Sequence, residues 1–477
     1  MKLKPSALGA VCMMLQPIVL NLLSIPATAY IIRGLGALGY GQWMVGVSLV
    51  AALTFLTNLG LRTLFVRDLA QRPEQAQARL AEQLGLRTVL AIAAGTIAWC
   101  LCLLLRYPPV VLHCVALAAA GLVMTAAVTA LNDLVQSVQH LSALATTSLI
   151  SGLVLTAASV LAIWHGAGPV GLSAAYLTGP AVNLVLLLAH INRRLFPVSA
   201  SWSVGRSRIL LHEVRAIGLQ QLFSTVQDRI QQILVPKIVG IAAFGYFSAG
   251  LIPASRLEVV PDGLLMYYYS RIARSCREDR EAATRQIVEF MVISLATCLP
   301  LAILMSFFAP LLAHLLFPKH ATVCRDVMRL TVWSLPLAAL IQPLLCALQA
   351  CGRHAEASRS LMKATVLSSV LSLLLIRHYG LNGACWSWLI GYASSAVFLL
   401  PPFVRAFPLV LPRVPFLRVL SCAGVMSLLV WSASLFHRPP PTAFVAVTVF
   451  SLLGYGGGLF ALRVINTSGF SDAAKRG

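Results

Sequence analysis

Residues 216–237 read AIGLQQLFSTVQDRIQQILVPK, and whether this stretch crosses a membrane decides how the whole chain is read. Five glutamines, Asp228 and Arg229 make it too polar for a simple hydropathy threshold. Wound as a helix, however, it sorts into two sides. Leu222, Phe223, Val226 and Ile230 keep one side apolar. Gln220, Ser224, Gln227 and Gln231 recur at i, i+4, i+7 and i+11, with Gln221, Thr225, Asp228 and Gln232 as the adjacent row. Such glutamines can glue one helix to another in lipid. Two full rows are broader than glue requires, and point instead to the wall of a wet cavity. Amides suit that wall, because each offers two donors and an acceptor to sugar hydroxyls.

The rest of the sequence requires this stretch to span. Of 477 residues 58% are hydrophobic and only 11% charged, with a mean hydropathy of +0.84. A soluble domain carries about 25% charged residues, so a soluble enzyme, a disordered chain and a secreted disulfide scaffold are excluded. Apolar runs of the roughly 20 residues that a bilayer demands lie near 9–32, 43–61, 88–105, 109–131, 142–164, 168–189, 243–266, 286–308, 328–350, 360–376, 382–404, 418–436 and 442–462. The flanking segments 190–215 and 268–285 are both basic, through Arg193, Arg194, Arg206, Arg208 and Arg215, then Arg271, Arg274, Arg277, Arg280 and Arg285. Positive loops stay in the cytoplasm, so an even number of spans must separate the two. Counting 216–237 gives fourteen, with both termini inside. The net charge of +21 then sits at membrane edges and calls for no nucleic acid. Tyr267, Tyr268 and Tyr269 read as an interfacial anchor. Lys2, Lys4 and Ala27-Thr28-Ala29 imitate a cleavable leader, but the apolar run continues through Tyr30-Ile31-Ile32, so a first span is expected there.

The expected class is therefore all-α and polytopic, and an internal repeat organises it. GAGPVGLSAAYLTGPAVNLVLLL (166–188) aligns without a gap on HYGLNGACWSWLIGYASSAVFLL (378–400), pairing Gly168 with Gly380, Gly171 with Gly383 and Gly179 with Gly391. Gly36-Ala-Leu-Gly-Tyr40 recurs loosely as Gly240…Gly245-Tyr246, and the basic Arg67-Asp-Leu-Ala-Gln-Arg72 is echoed by Arg271-Ile-Ala-Arg274. An even unit of six spans keeps its orientation, so the halves are expected to relate by a pseudo-two-fold along the membrane normal, the parallel-repeat plan of transporters. The boundaries expected are a six-helix lobe over 1–195, a cytoplasmic linker over 196–215, a second six-helix lobe over 216–405, and two extra helices with a short cytoplasmic tail over 406–477.

Ile32-Arg-Gly-Leu-Gly-Ala-Leu-Gly-Tyr-Gly41, then Asn58-Leu-Gly-Leu61 and Val66-Arg-Asp-Leu-Ala70, resemble the opening of polysaccharide-biosynthesis flippases. Asp228, Gly240, Gly245-Tyr246, Pro261, Leu348-Gln-Ala-Cys-Gly-Arg353 and Tyr379-Gly-Leu-Asn-Gly-Ala384 resemble their second half. The resemblance covers about residues 5–405 and is to the Wzx-type branch of the superfamily of multidrug, oligosaccharidyl-lipid and polysaccharide exporters. It implies an inner-membrane flippase for an undecaprenyl-diphosphate-linked glycan, working among membrane lipids beside a polymerase and glycosyltransferases of one pathway, and no cofactor. Two departures matter. Multidrug relatives carry an acid on the first helix, and 9–32 has none; lipid II flippases carry basic residues on helices 1 and 8, and here only Arg256 fits, span 1 having no cation before Arg33.

Charges inside spans default to function. Asp228 lies about 13 Å in from Lys237, and Arg256 roughly 18 Å in from Ala243, depths that allow a pair. One reading is a buried ion pair orienting spans 7 and 8. In the other, Arg256 or Arg229 forks onto the substrate diphosphate while Asp228 tunes its release. Glu258 and Asp262, at i and i+4, either take protons during transport or, for Asp262, cap a break at Pro261. Pro253 and Pro261 can kink span 8. Asn21 and Ser24, with Thr28, form a candidate wall from the first span. No phosphate loop, metal spacing or nucleophile motif is present. Eight of the eleven cysteines lie inside apolar runs and read as packing residues. The rival class is a membrane-embedded glycan polymerase or glycosyltransferase. For that the longest outer loop, about 309–327, offers only Lys319, His320, Arg325 and Asp326.

Overall fold

The computed structural model describes residues 7–62, 65, 75–138, 140–198, 204–407, 413–434 and 451–458. These are helical almost throughout, with no strand among them. In chain order the helices are α1 (Ala7–Ala51), α2 (Phe55–Asn58), α3 (Ala76–Leu104), α4 (Pro109–Ser137), α5 (Leu141–Trp164), α6 (Gly168–Arg194), α7 (Val204–Ile238), α8 (Ile241–Leu257), α9 (Val259–Glu278), α10 (Arg280–Leu316), α11 (Ala321–Thr331), α12 (Ser334–Ala350), α13 (His354–Ala406) and α14 (Arg413–Ser434). Residues 451–458 are also helical. Residues 66–70, Arg72 and the side chains of Arg206, Arg215 and Arg277 lie outside the description.

Nine stretches among the described residues are long and apolar enough to cross a membrane, and the protein is a multi-pass membrane protein. Two of the nine bend at glycine: Gly36 divides α1 at φ 65°, and Gly380 divides α13 at φ 56°, a left-handed conformation that favours a residue without Cβ. α7 is not among the nine, as its glutamines and charges foretold. The single span expected over 243–266 is two helices, α8 and α9, parted at Glu258. Pro261 explains the position. It has no N–H for the carbonyl of Leu257, and its ring crowds that carbonyl, so α8 ends at Leu257. Within α9 the proline stands in the first turn, where the missing donor costs nothing. The bend therefore falls a turn earlier than Pro261 itself.

The chain packs as two compact units, one of residues 1–249, 315–317 and 372–384, the other of 250–314, 318–371 and 385–477. In the first, Leu80 of α3, Leu131, Leu134 and Val135 of α4, and Leu187 and Ile191 of α6 form a buried core. Small residues bring its helices close: a Cβ on Gly95 would press on Ala119, and one on Gly46 on Cys114. In the second, Val292, Leu295 and Leu299 of α10 pack on Val419 and Met426 of α14 and on Tyr455, whose hydroxyl donates to the Ala296 carbonyl at 2.8 Å. Leu104, Trp164, Val185, Leu428 and Leu453 stay largely exposed. Exposed side chains of this kind on helices whose backbone bonds are satisfied internally suit lipid as the solvent.

Candidate functional site

The polar rows of α7 divide by burial. Gln221 and Asp228 are exposed, Ser224, Gln227 and Arg229 half-buried, and Thr225, Gln231 and Gln232 buried; the side chain of Gln220 lies outside the description. Gln231 donates from Nε2 to Ser372 Oγ on α13 at 3.2 Å, and Gln232 accepts from Arg229 Nη1 at 2.9 Å. The structure thus places these two amides in packing positions, away from the open face, where one ties α7 to a neighbouring helix and the other steadies a guanidinium. What faces outward is Gln221 and Asp228, an amide and a carboxylate on a helix that belongs to a membrane bundle. On α1, Asn21 and Ser24 are half-buried. Ser24 Oγ donates to the Asn21 carbonyl at 3.0 Å, and Thr28 Oγ1 to the Ser24 carbonyl at 2.6 Å, so both hydroxyls keep acceptor lone pairs for an incoming donor.

In the second unit, Arg256 is exposed in the last turn of α8, where a cation suits the helix end. Glu258, at the bend, accepts from the Tyr392 hydroxyl at 3.1 Å. Asp262, exposed in the first turn of α9, accepts from Gln342 Nε2 at 2.8 Å. Each carboxylate thus accepts from a neutral donor, and Asp262 favours the N-terminus of α9. No three metal-ligating side chains converge among the described residues.

A charged pair that the sequence reading passed over joins α3 to α4. Arg87 Nη2 contacts Asp133 Oδ2 at 2.7 Å, and both residues are buried. Gln83 Nε2 adds a bond to the same oxygen at 3.4 Å, while the exposed Arg62 approaches Oδ1 at 3.5 Å and donates to Gln136 Oε1 at 2.6 Å. The apolar windows near 88–105 and 109–131 stop just short of both charges.

Contacts within the first unit repeat with the two sequence halves exchanged. A Cβ on Gly41 would collide with the carbonyl of Ile241, and a Cβ on Gly245 with the carbonyl of Ala37. In the alignment of Gly36 on Gly240, Ala37 corresponds to Ile241 and Gly41 to Gly245. Under that alignment the two close approaches join corresponding residues. The same register sets Arg33 on Lys237. Arg33 donates to the carbonyl of Leu315 in the last turn of α10, and Lys237 Nζ to the carbonyl of Leu105 beyond α3 at 2.7 Å. Each cation meets the carbonyls at a helix end, where the dipole favours it. Lys237 also lies over the ring of Tyr107 at 5.9 Å, a residue whose burial pushes its phenol up to about 12. The paired glycines all have positive φ: 65° and 118° at Gly36 and Gly240, and 65° and 56° at Gly168 and Gly380.

Polysaccharide biosynthesis proteins match the chain over residues 8–273. Among solved structures it is similar to the lipid II flippase MurJ in an inward closed conformation, with a TM-score of 0.75 at 12% identity over 98% of this chain and 100% of that one. It is also similar to an inward-facing multidrug resistance MATE family transporter of the MOP superfamily, at 0.60 and 15% over 83% and 97%. A third likeness, at 0.52 and 15% over 83% and 93%, is to a MOP superfamily transporter from Pyrococcus furiosus whose binding pocket has reverse polarity. No curated protein matches. At such identities the likeness is one of fold.

Proposed function

We propose that this chain, which belongs to the polysaccharide biosynthesis protein family, flips an undecaprenyl-diphosphate-linked oligosaccharide across a bacterial inner membrane by alternating access. The observation that carries this reading is Asp228, exposed with Gln221 on a helix of a bundle whose remaining exposed surface is rich in leucine, valine and tryptophan. A carboxylate in that position needs water or a polar ligand beside it. In this reading α7 crosses the bilayer, fourteen spans place both termini in the cytoplasm, and lobes over 1–195 and 216–405 rock to expose a polar cavity to either side. Arg256 and Arg229 contact the diphosphate, Asp228 pairs with a cation when no substrate is present, and Gln221, Gln227, Asn21 and Ser24 meet sugar hydroxyls. The prenyl tail stays in lipid. Glu258 and Asp262 are the candidate coupling acids.

The exchanged contacts of Gly41 with Gly245 and of Arg33 with Lys237 support a pseudo-two-fold between the lobes, and belong, by the count of spans, to the outer side. They are the contacts that part when the cavity opens outward. The MurJ-like fold favours lipid II as a second reading; the lack of any cation in 9–32 speaks against it. Deletion of the gene is expected to accumulate lipid-linked glycan in the inner leaflet, rescued by the wild-type chain and poorly by Arg256→Ala or Asp228→Asn. Normal outer-leaflet glycan in the deletion strain, with redundancy excluded, would end the flippase reading. Rescue of lipid II flipping in its place would favour the second.

A further inference from the structure

Cys276 and Cys351 are joined by a disulfide, with their Cα atoms 5.8 Å apart. They are two of the three cysteines that lie outside the apolar runs, and both are half-buried. Cys276 stands near the end of α9, and Cys351 caps α12. The helix end is closed there: Gly352 follows at φ 76°, and the Arg353 N–H donates back to the Leu348 carbonyl at 2.8 Å. The bond closes a loop of 75 residues. Higher on the same two helices, Gln342 of α12 is hydrogen-bonded to Asp262 of α9. The disulfide is therefore the second of two ties that hold α9 along α12, and α9 begins at the bend set by Pro261.

By the topology of the proposed function, on which this inference rests, both sulfurs face the cytoplasm. Arg271, Arg274, Arg280 and Arg353, their neighbours in sequence, agree with that side. A disulfide there is not a permanent staple, because the glutathione pool keeps cytosolic thiols reduced and leaves disulfides to redox sensing. We infer that Cys276 and Cys351 form a thiol–disulfide switch that clamps α9 onto α12 under oxidation and frees α9 to move about the Glu258 bend when reduced. In the oxidising direction the Cys276 thiolate attacks a disulfide such as oxidised glutathione and releases one glutathione thiol. The Cys351 thiolate then displaces the second. Two protons leave the protein, the two cysteine sulfurs lose two electrons in total, and glutathione gains them.

Two measurements on the full chain test the switch. In cells, differential alkylation is expected to find both thiols reduced at rest and both protected after diamide, with a membrane-impermeant maleimide reaching them only from the cytoplasmic side. In nanodiscs equilibrated with glutathione redox buffers, amide exchange over residues 259–278 is expected to slow at least tenfold on oxidation and to reverse with dithiothreitol. Cys276→Ser and Cys351→Ser should hold the fast rate in either buffer. A pair that is oxidised at rest and labelled from the outer side after reduction would overturn the switch and its topology together. Failure to oxidise under diamide, or equal exchange in the two redox states, would overturn the switch and leave the flippase reading standing. Loss of that reading alone would show as normal glycan export in the deletion strain with the redox response intact.

Discussion

A guanidinium buried between helices must keep its counter-charge, and Arg87 has one carboxylate, Asp133, at 2.7 Å. Removing Asp133 strands the guanidinium, at a cost of about 3–5 kcal/mol, and removing Arg87 leaves the buried carboxylate to Gln83 and the exposed Arg62, whereas replacing both members with apolar residues of similar volume is often neutral or stabilising. Arg87→Ala and Asp133→Asn are each expected to lower the unfolding midpoint in nanodiscs markedly, and Arg87→Met with Asp133→Leu to recover most of it. A double replacement no better than the singles would mean that the pair does more than join α3 to α4. Arg256 calls for the opposite pattern. It is exposed, so Arg256→Ala should leave the melting point within a degree or two and reduce glycan flipping at least tenfold, with Arg256→Lys intermediate because an ammonium cannot fork onto two phosphate oxygens. Windows of mean apolarity could show neither Arg87 nor the Cys276–Cys351 pair. Arg87 lies one residue before an apolar run, Cys351 one residue after one and Cys276 between two, and the partners are 46 and 75 residues apart in sequence.

At the scale of helices, periodicity told which side of α7 is polar but not which amides stay open. Gln227 and Gln231 share one row, yet Gln227 is half-buried while Gln231 is fixed to Ser372. That difference depends on a residue of α13 that no local pattern could supply. The proline at 261 was legible as a source of bending; the site of the bend follows from the carbonyl four residues earlier. Pro261→Ala restores a donor to the Leu257 carbonyl and should join α8 to α9. The expected outcome is a slowly exchanging new amide at position 261, slower exchange in the turn before it, and reduced flipping with unchanged expression. Exchange over residues 257–262 as fast in the variant as in the parent chain would show that the bend is imposed by packing and not by proline.

For the whole molecule, repeat, orientation and span count stand or fall together, because a helix that fails to cross reverses everything after it. Fold class and family could be read early, since lipid leaves a strong compositional mark and the glycine motifs need particular backbone conformations. The substrate could not, because recognition depends on which polar groups remain open after packing. If the exchanged contacts reflect a two-fold, Arg33→Ala and Lys237→Ala should raise outer-side accessibility of Asn21→Cys by similar factors, and the double variant by more than either. A change from only one of them would argue against equivalence.

The most direct test is the sidedness of α7, read by single cysteines in an otherwise cysteine-free chain. Arg208→Cys should react with an impermeant maleimide only from the cytoplasm, Val239→Cys only from the outside, and Asp228→Cys should react from water while Ile230→Cys stays dark. Labelling of positions 208 and 239 from the same face would contradict the crossing of α7, and with it the orientation of every later span.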